Sequence, residues 1–434
     1  MMKASRLLIG ALVFGFSACD PGGSDSRSGR SIQGVEFTAE QLKEVRSLSP
    51  VPPPPPSLTN AHADDPEAAV LGQMLFFDPK LSETGEVSCA TCHDPTQDWT
   101  DGKTVSVGLE PVTRNAPTLF NLAHHRWFFW DGRKDSLWSQ SLGPIENTRE
   151  MGGSRIEVYH SIAGDAERRA LYTHVFEPFP QLETKTPPAK GYPNPGNPRD
   201  PMHQGWLQLS ASDQDRINQV FVNVGKAIEA FERKLVSKAS PFDAFVASLH
   251  PSEPSPANLL SDSAVRGLKL FIDKGQCTLC HSGPHFTDLE FHNIGLDRGK
   301  NALDSGRFEG VALVKADPFN GQGNFSDDRS IAANQSLHYL AQKPNNLGEF
   351  KTPTLRNVAT TPPYMHDGRF ASLRDVLEFY SNLDQEPALG HREETLQPLG
   401  LTDQELDDLE AFLETLTGAP LPVALLSPLK EPLP

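Results

Sequence analysis

Apolar residues recur at helical spacing in several stretches of the chain and almost nowhere alternate as a half-buried strand would. In DPEAAVLGQMLFFDPKLS, Val70, Leu71, Met74, Leu75 and Phe77 follow the helical period, and Pro79 ends it. A longer run, SDQDRINQVFVNVGKAIEAFERKLVSK, puts Ile217, Val220, Phe221, Val224, Ile228, Phe231 and Leu235 on one face of an amphipathic helix. SLRDVLEFYS opens with Ser372 and Asp375 in capping-box positions. TDQELDDLEAFLETLTG is capped by Thr402 and Glu405 and stopped by Gly418. The pattern predicts an all-α fold with few or no strands.

The first helix has a copy. AVLGQMLFFD (69–78) aligns without gaps on AVRGLKLFID (264–273), with six of ten positions identical. Each copy runs into a C-x-x-C-H motif, SCATCHDP or QCTLCHSG, and each motif is followed by a similar stretch, DWTDG or HFTDL. A repeat of helix, loop and short extended stretch predicts two cytochrome c-like domains, 61–250 and 251–420, related by internal duplication. Before them, 19–60 contains SPVPPPPPSL and predicts an extended proline-rich linker, with folding from about Asp65. PPAKGYPNPGNPRDPMHQG predicts a loop, and 421–434 a tail.

The cysteines sharpen this picture. The chain of 434 residues has five: Cys19, Cys89, Cys92, Cys277 and Cys280. Residues 1–18 have the charged start, short apolar run and small-residue ending of an export signal, too short to span a bilayer. Ser17-Ala18-Cys19 resembles a lipoprotein cleavage site, so Cys19 is expected as a lipidated mature N-terminus facing the periplasm, with simple secretion as the alternative. In that oxidising compartment the other four cysteines would by default form disulfides. Their spacing points elsewhere: in C-x-x-C-H both thiols can add to haem vinyl groups while the histidine supplies an imidazole to iron. A zinc site would need ligands that close a tetrahedron, and a thioredoxin-type motif needs no histidine there. Two covalent c-type haems are therefore expected on Cys89, Cys92 and His93 and on Cys277, Cys280 and His281. The net charge of −17 argues against nucleic acid as a partner and fits a basic protein donor.

Three segments carry a more specific resemblance: RNAPTLFNLAHHRWFFWDGRKDSLWSQSLGPIENTREM, AIEAFERKLVSKASPFDAF and FKTPTLRNVATTPPYMHDGRFASLRDVLEFY. Over most of 65–418 the chain resembles the bacterial di-haem cytochrome c peroxidases and their MauG relatives. The resemblance implies a peroxide-activating haem in the first domain, an electron-transferring haem in the second and a calcium ion between them. It puts Trp130 between the haems and Gln140 and Glu150 over the first iron. A carboxylate there can take a proton from the near oxygen of hydrogen peroxide and return it to the departing one. Calcium would be held by Asn115 and the carbonyls of Thr361 and Pro363, neutral oxygens that suit a hard cation. Taken singly, Trp130 equally fits an aromatic core, Glu150 a solvated surface and Arg114-Asn115 a turn.

Two positions depart from the peroxidase pattern. Leu109 stands after Gly108 where many peroxidases carry a distal histidine, so the first haem is expected to be open, with His124 or His125 as alternative ligands. Tyr380 stands at the methionine position of the second haem. Leu373, Val376, Leu377 and Tyr380 share one helical face, so the phenol is expected to point inward and bind that iron, with Met365 as the competing ligand. Both departures are MauG-like. His285, His292 and His366 have no assigned role. The expected function is hydrogen peroxide reduction, with electrons from a small cytochrome c or copper protein. Alternatives are oxidation of a partner protein's side chains through a bis-ferryl state, or a non-enzymatic di-haem carrier. Leu109, Gln140 and Glu150 speak against the carrier.

Overall fold

The computed structural model describes residues 29–249, 259–296 and 303–429. The expected signal segment and Cys19 lie outside them. Among the described residues the fold is mostly helical, with two short two-stranded antiparallel sheets. No helix there is long and apolar enough to cross a membrane.

Two cores form around two matching helix pairs. In the first, Pro66–Phe76 packs along Ala211–Glu232, and Leu137–Glu146 and Arg155–Gly164 close over the long helix. In the second, Asp262–Ile272 packs along Asp403–Glu414, beside Leu373–Asn382. The duplicated glycine explains the crossing in both. A Cβ on Gly72 would lie 1.9 Å from the Ala227 carbonyl oxygen, and one on Gly267 would lie 1.8 Å from that of Asp408. Each first helix can approach its partner's backbone only because it has hydrogen there.

From Val220 onward the long helix departs from the expected amphipathic element in being buried all round. Its apolar face enters the first core as expected, but its polar face is also covered. Lys226 pairs with Asp327 at 2.6 Å, Glu229 accepts from the Trp138 amide at 3.2 Å, and Arg233 pairs with Asp64 at 2.7 Å. Periodicity shows which face is apolar, whereas loops distant in sequence decide whether the other face meets water.

The expected domain limits shift in three places. Residues 30–48, inside the stretch expected as linker, form a hairpin (Arg30–Ile32 with Val35–Phe37) turning at Gln33-Gly34, both left-handed, and a helix, Ala39–Ser47. Ile32, Phe37, Leu42, Val45 and Leu48 belong to the second core. Helix Pro241–Ala247 joins that core through Phe242 and Phe245, so the first core ends near Leu235. The tail returns to the first domain: Leu421 enters its core, and the Gln73 side-chain amide donates to the carbonyls of Ala424 and Ser427 at 2.6 and 2.8 Å. Arg356, fully buried, ties the second domain together, donating to Asp243, Leu48 O and Pro284 O.

Candidate haem and peroxide site

Each C-x-x-C-H motif sits on a short turn that follows its repeated helix in the chain: Cys89–Cys92 is one helical turn and Cys277–Leu279 a 3₁₀ turn. Just beyond, the chain passes through a left-handed residue, Trp99 (φ 65°) in the first domain and Phe286 (φ 51°) in the second. Their side chains are buried in the cores while their carbonyls meet the motif histidines. His93 Nδ1 lies 3.0 Å from Trp99 O, and His281 Nδ1 lies 2.9 Å from Phe286 O. A carbonyl only accepts, so Nδ1 carries the proton and Nε2 keeps its lone pair. Burial holds both imidazoles below their ordinary pKa, hence neutral.

Burial keeps Cys89, Cys92 and Cys277 in the thiol form. Burial pushes Cys89 strongly up, Cys92 up to about 11 and Cys277 up to about 12. Reactive and metal-binding cysteines need the opposite shift. Among the described residues one group of three metal-ligand types occurs, Cys280, Asp288 and His292. His292 is engaged by Asp288 at 2.8 Å and Glu393 at 3.0 Å, and Asp288 foremost, then the Cys280 sulfur and Glu393, hold its pKa up to about 11. An imidazolium so held has no lone pair for a metal.

Both motifs open on one cavity of about 900 Å³. Cys92 and His93 of the first motif and Cys277, Cys280 and His281 of the second all line it, as do Trp130, Gln140, Glu150 and Tyr380. A mainly helical fold with paired donors at two such motifs fits two covalent haems. Asn115, Thr361 and Pro363, the expected calcium ligands, line the same cavity, and the Asn115 amide nitrogen donates to Lys103 O at 2.8 Å, leaving Oδ1 free of that bond.

Glu150, Gln140 and Pro144 also border a recess of about 50 Å³ beside Cys89 and His93, enough for water. Glu150 is half-buried and accepts from Asn147 Nδ2 at 2.7 Å. Burial raises its pKa, opposed by Arg133 and Asn147. Leu109 does not line the cavity. Its amide donates to Glu150 O at 2.9 Å, and a Cβ on Gly108 would lie 2.4 Å from that oxygen, so Gly108-Leu109 works as a backbone splint for Glu150. His125 lines the cavity, whereas His124 lies against His285 with ring centroids 4.1 Å apart. Tyr380 lines it on the face shared with Leu373, Val376 and Leu377, and its hydroxyl has no hydrogen-bond partner among the described residues. Met365 also lines it, with φ 74°.

The domains are stitched together at Trp130. Its indole donates to Asn115 O at 2.9 Å, the Asn115 amide donates to His366 O at 2.8 Å, and the Lys351 amide donates to Trp130 O at 2.8 Å. His366 stacks on Phe350 at 3.6 Å and meets Trp130 edge-on at 6.4 Å. The duplication reaches this far: 116–137 corresponds to 352–373, so Asn121 and Asn357 (φ 62° and 63°) both open a 3₁₀ turn and Trp130 corresponds to His366. In the same register Pro144 corresponds to Tyr380. Sequence reading missed Lys351, which lines the cavity. Its signal was the parallel between RNAPTLFN and FKTPTLRN.

Fold and site together define a c-type protein built to hold two haems around one cavity. Residues 66–250 match the family model described as di-haem cytochrome c peroxidase. The chain is 32% identical over 363 residues to the methylamine utilization protein MauG of Methylorubrum extorquens, covering 83% of this chain and 81% of that protein. It is 30% identical over 395 residues to the cytochrome-c peroxidase IdrP1 of Pseudomonas sp., covering 88% and 89%. A crystal structure of a MauG-like protein associated with microbial copper homeostasis matches with TM-score 0.60 and 26% identity, covering 87% of this chain and 95% of that one. The chain belongs to the di-haem cytochrome c peroxidase and MauG family.

Proposed function

We propose that the protein reduces hydrogen peroxide at the His93 side of the cavity with electrons entering at the His281 side. The observation that carries this reading is the half-buried Glu150 carboxyl, which shares with Gln140 the recess bordered by His93. Haem held by Cys89, Cys92 and His93 would supply a redox-active iron for the near oxygen of peroxide. The chain does the rest. Glu150 accepts the proton of the near oxygen and returns it to the departing one, while Gln140 offers its amide to orient the peroxide. Overall, one peroxide, two electrons and two protons give two waters. Trp130 spans the gap between the two sites, held by Asn115 O and Lys351 N–H. Asn115 and the carbonyls of Thr361 and Pro363 would hold the calcium ion. We take the donor to be a small cytochrome c or copper protein with a basic face, given the charge of −17. We assign the protein to the periplasmic side, tethered through Cys19.

Steady-state peroxide consumption with a reduced c-type cytochrome tests this reading. Turnover that falls after calcium chelation and recovers on calcium addition is expected, and a holoprotein that leaves peroxide untouched would overturn it. A second reading, oxidation of a partner protein's side chains, is favoured by one observation: Tyr380 faces the second motif with an unpartnered hydroxyl. Here peroxide would be consumed without a small donor, and the partner would gain mass changes on its aromatic side chains.

A further inference from the structure

Lys351 is a cation without a counter-ion. It lines the cavity, follows Phe350 in a two-residue strand and belongs to no salt bridge among the described residues. Its one side-chain partner there is His125 Nδ1 at 2.7 Å. An ammonium only donates, so Nδ1 is the bare nitrogen and the His125 proton sits on Nε2. That Nε2–H is buried with no acceptor. Burial, and after it the Lys351 charge, holds His125 well below its ordinary pKa, so the ring stays neutral. No carboxylate acts on Lys351, and burial alone brings its ammonium down to about 7. The ammonium keeps two further N–H donors, and the imidazole one.

A half-buried charge with no counter-ion on a cavity wall and a buried orphan donor beside it are both costly, so such a pair persists where an anion completes it. Resting on the two-haem reading, we propose that Lys351 and His125 form the receptor for one haem propionate at the seam between the domains. The pair joins the two halves: His125 comes from the first domain, Lys351 from the second, and the Lys351 amide already binds Trp130 O. A cation paired to a propionate beside the indole sets that haem's readiness to hold an electron. Lys351 and His125 are thus positioning residues for electron sharing, acting through the haem edge.

The test uses holoprotein shown by intact mass to carry two haems, so failure of the two-haem reading is seen first. Lys351→Met, Lys351→Gln, Lys351→Arg and His125→Phe are compared by resonance Raman in the propionate-bending region and by spectroelectrochemical titration. Removing the charge is expected to move one haem's propionate band and lower its reduced-to-oxidised ratio at fixed potential about tenfold, the order for one unit charge in a low-dielectric site. Lys351→Arg should restore both readings, and axial-ligand signals in electron paramagnetic resonance should not move. Lys351→Gln keeps hydrogen bonding and must shift in the same direction as Lys351→Met. Propionate bands and ratios unchanged in both neutral variants overturn the proposal. So does saturable binding of formate, the free carboxylate, that is lost in Lys351→Gln while the propionate bands stay in place.

Discussion

At Glu150 burial works against charge: desolvation raises the carboxyl, and only Arg133 and the Asn147 amide pull the other way. A base with a raised folded pKa is available only above that value. The peroxide reaction should therefore slow as pH falls through a point above the ordinary glutamate value. Glu150→Gln should remove that acid limb and slow the reaction about 10²- to 10⁴-fold while leaving the resting spectrum alone, as stopped-flow pH profiles would show. An unchanged rate would make the residue structural. At Tyr380 burial, followed by the Cys280 and Cys277 thiols, pushes the phenol well above its usual range, so an ionised phenolate there requires a metal cation. Tyr380→Met should exchange a hard anionic donor for a soft neutral one and raise the second haem's potential. An unshifted potential in electrochemical titration would show that the phenol only packs. These residues were legible through the resemblance of the segments around them to the di-haem peroxidase and MauG pattern, not through spacing alone. Lys351 was not, because a lysine's lack of partners is a property of everything folded around it.

At the scale of elements, the two helix crossings depend on one missing atom each. Alanine usually stabilises a helix by about 1 kcal/mol relative to glycine, but a Cβ at Gly72 would lie 1.9 Å from Ala227 O. Gly72→Ala is therefore expected to destabilise the first domain by about 1–3 kcal/mol or more, through forced separation of the helices. Denaturant titration of the holoprotein checks this, and a stabilised variant would refute the close-crossing account. The matched Ala-Val-x-Gly stretches made both helices and their kinship visible in the sequence. The second half of the duplication was harder to see, because Trp130 and His366, and Pro144 and Tyr380, occupy equal places with unlike chemistry. What persisted there was backbone: left-handed Phe129 and Met365, and the glycines after Asp131 and Asp367.

Over the whole molecule, the doubled pattern is a pair of cores facing one cavity, crossed by chain from both ends. Residues 30–48 cover the second core and the tail covers the first, connections that periodicity cannot reveal because they join segments hundreds of residues apart. Polyproline marked 52–56 as extended, yet Pro55 O accepts from Arg233 at 2.9 Å, so the run lies along the first domain. Both motifs line one cavity and Trp130 is hydrogen-bonded to both domains, so the two halves are expected to act as one redox unit. The most direct test adds one equivalent of hydrogen peroxide to the oxidised two-haem protein and follows both haem spectra by rapid mixing. Both should change in the same phase, and Trp130→Phe should separate the second change from the first. A spectral change confined to the His93 haem in the wild-type protein would contradict the account.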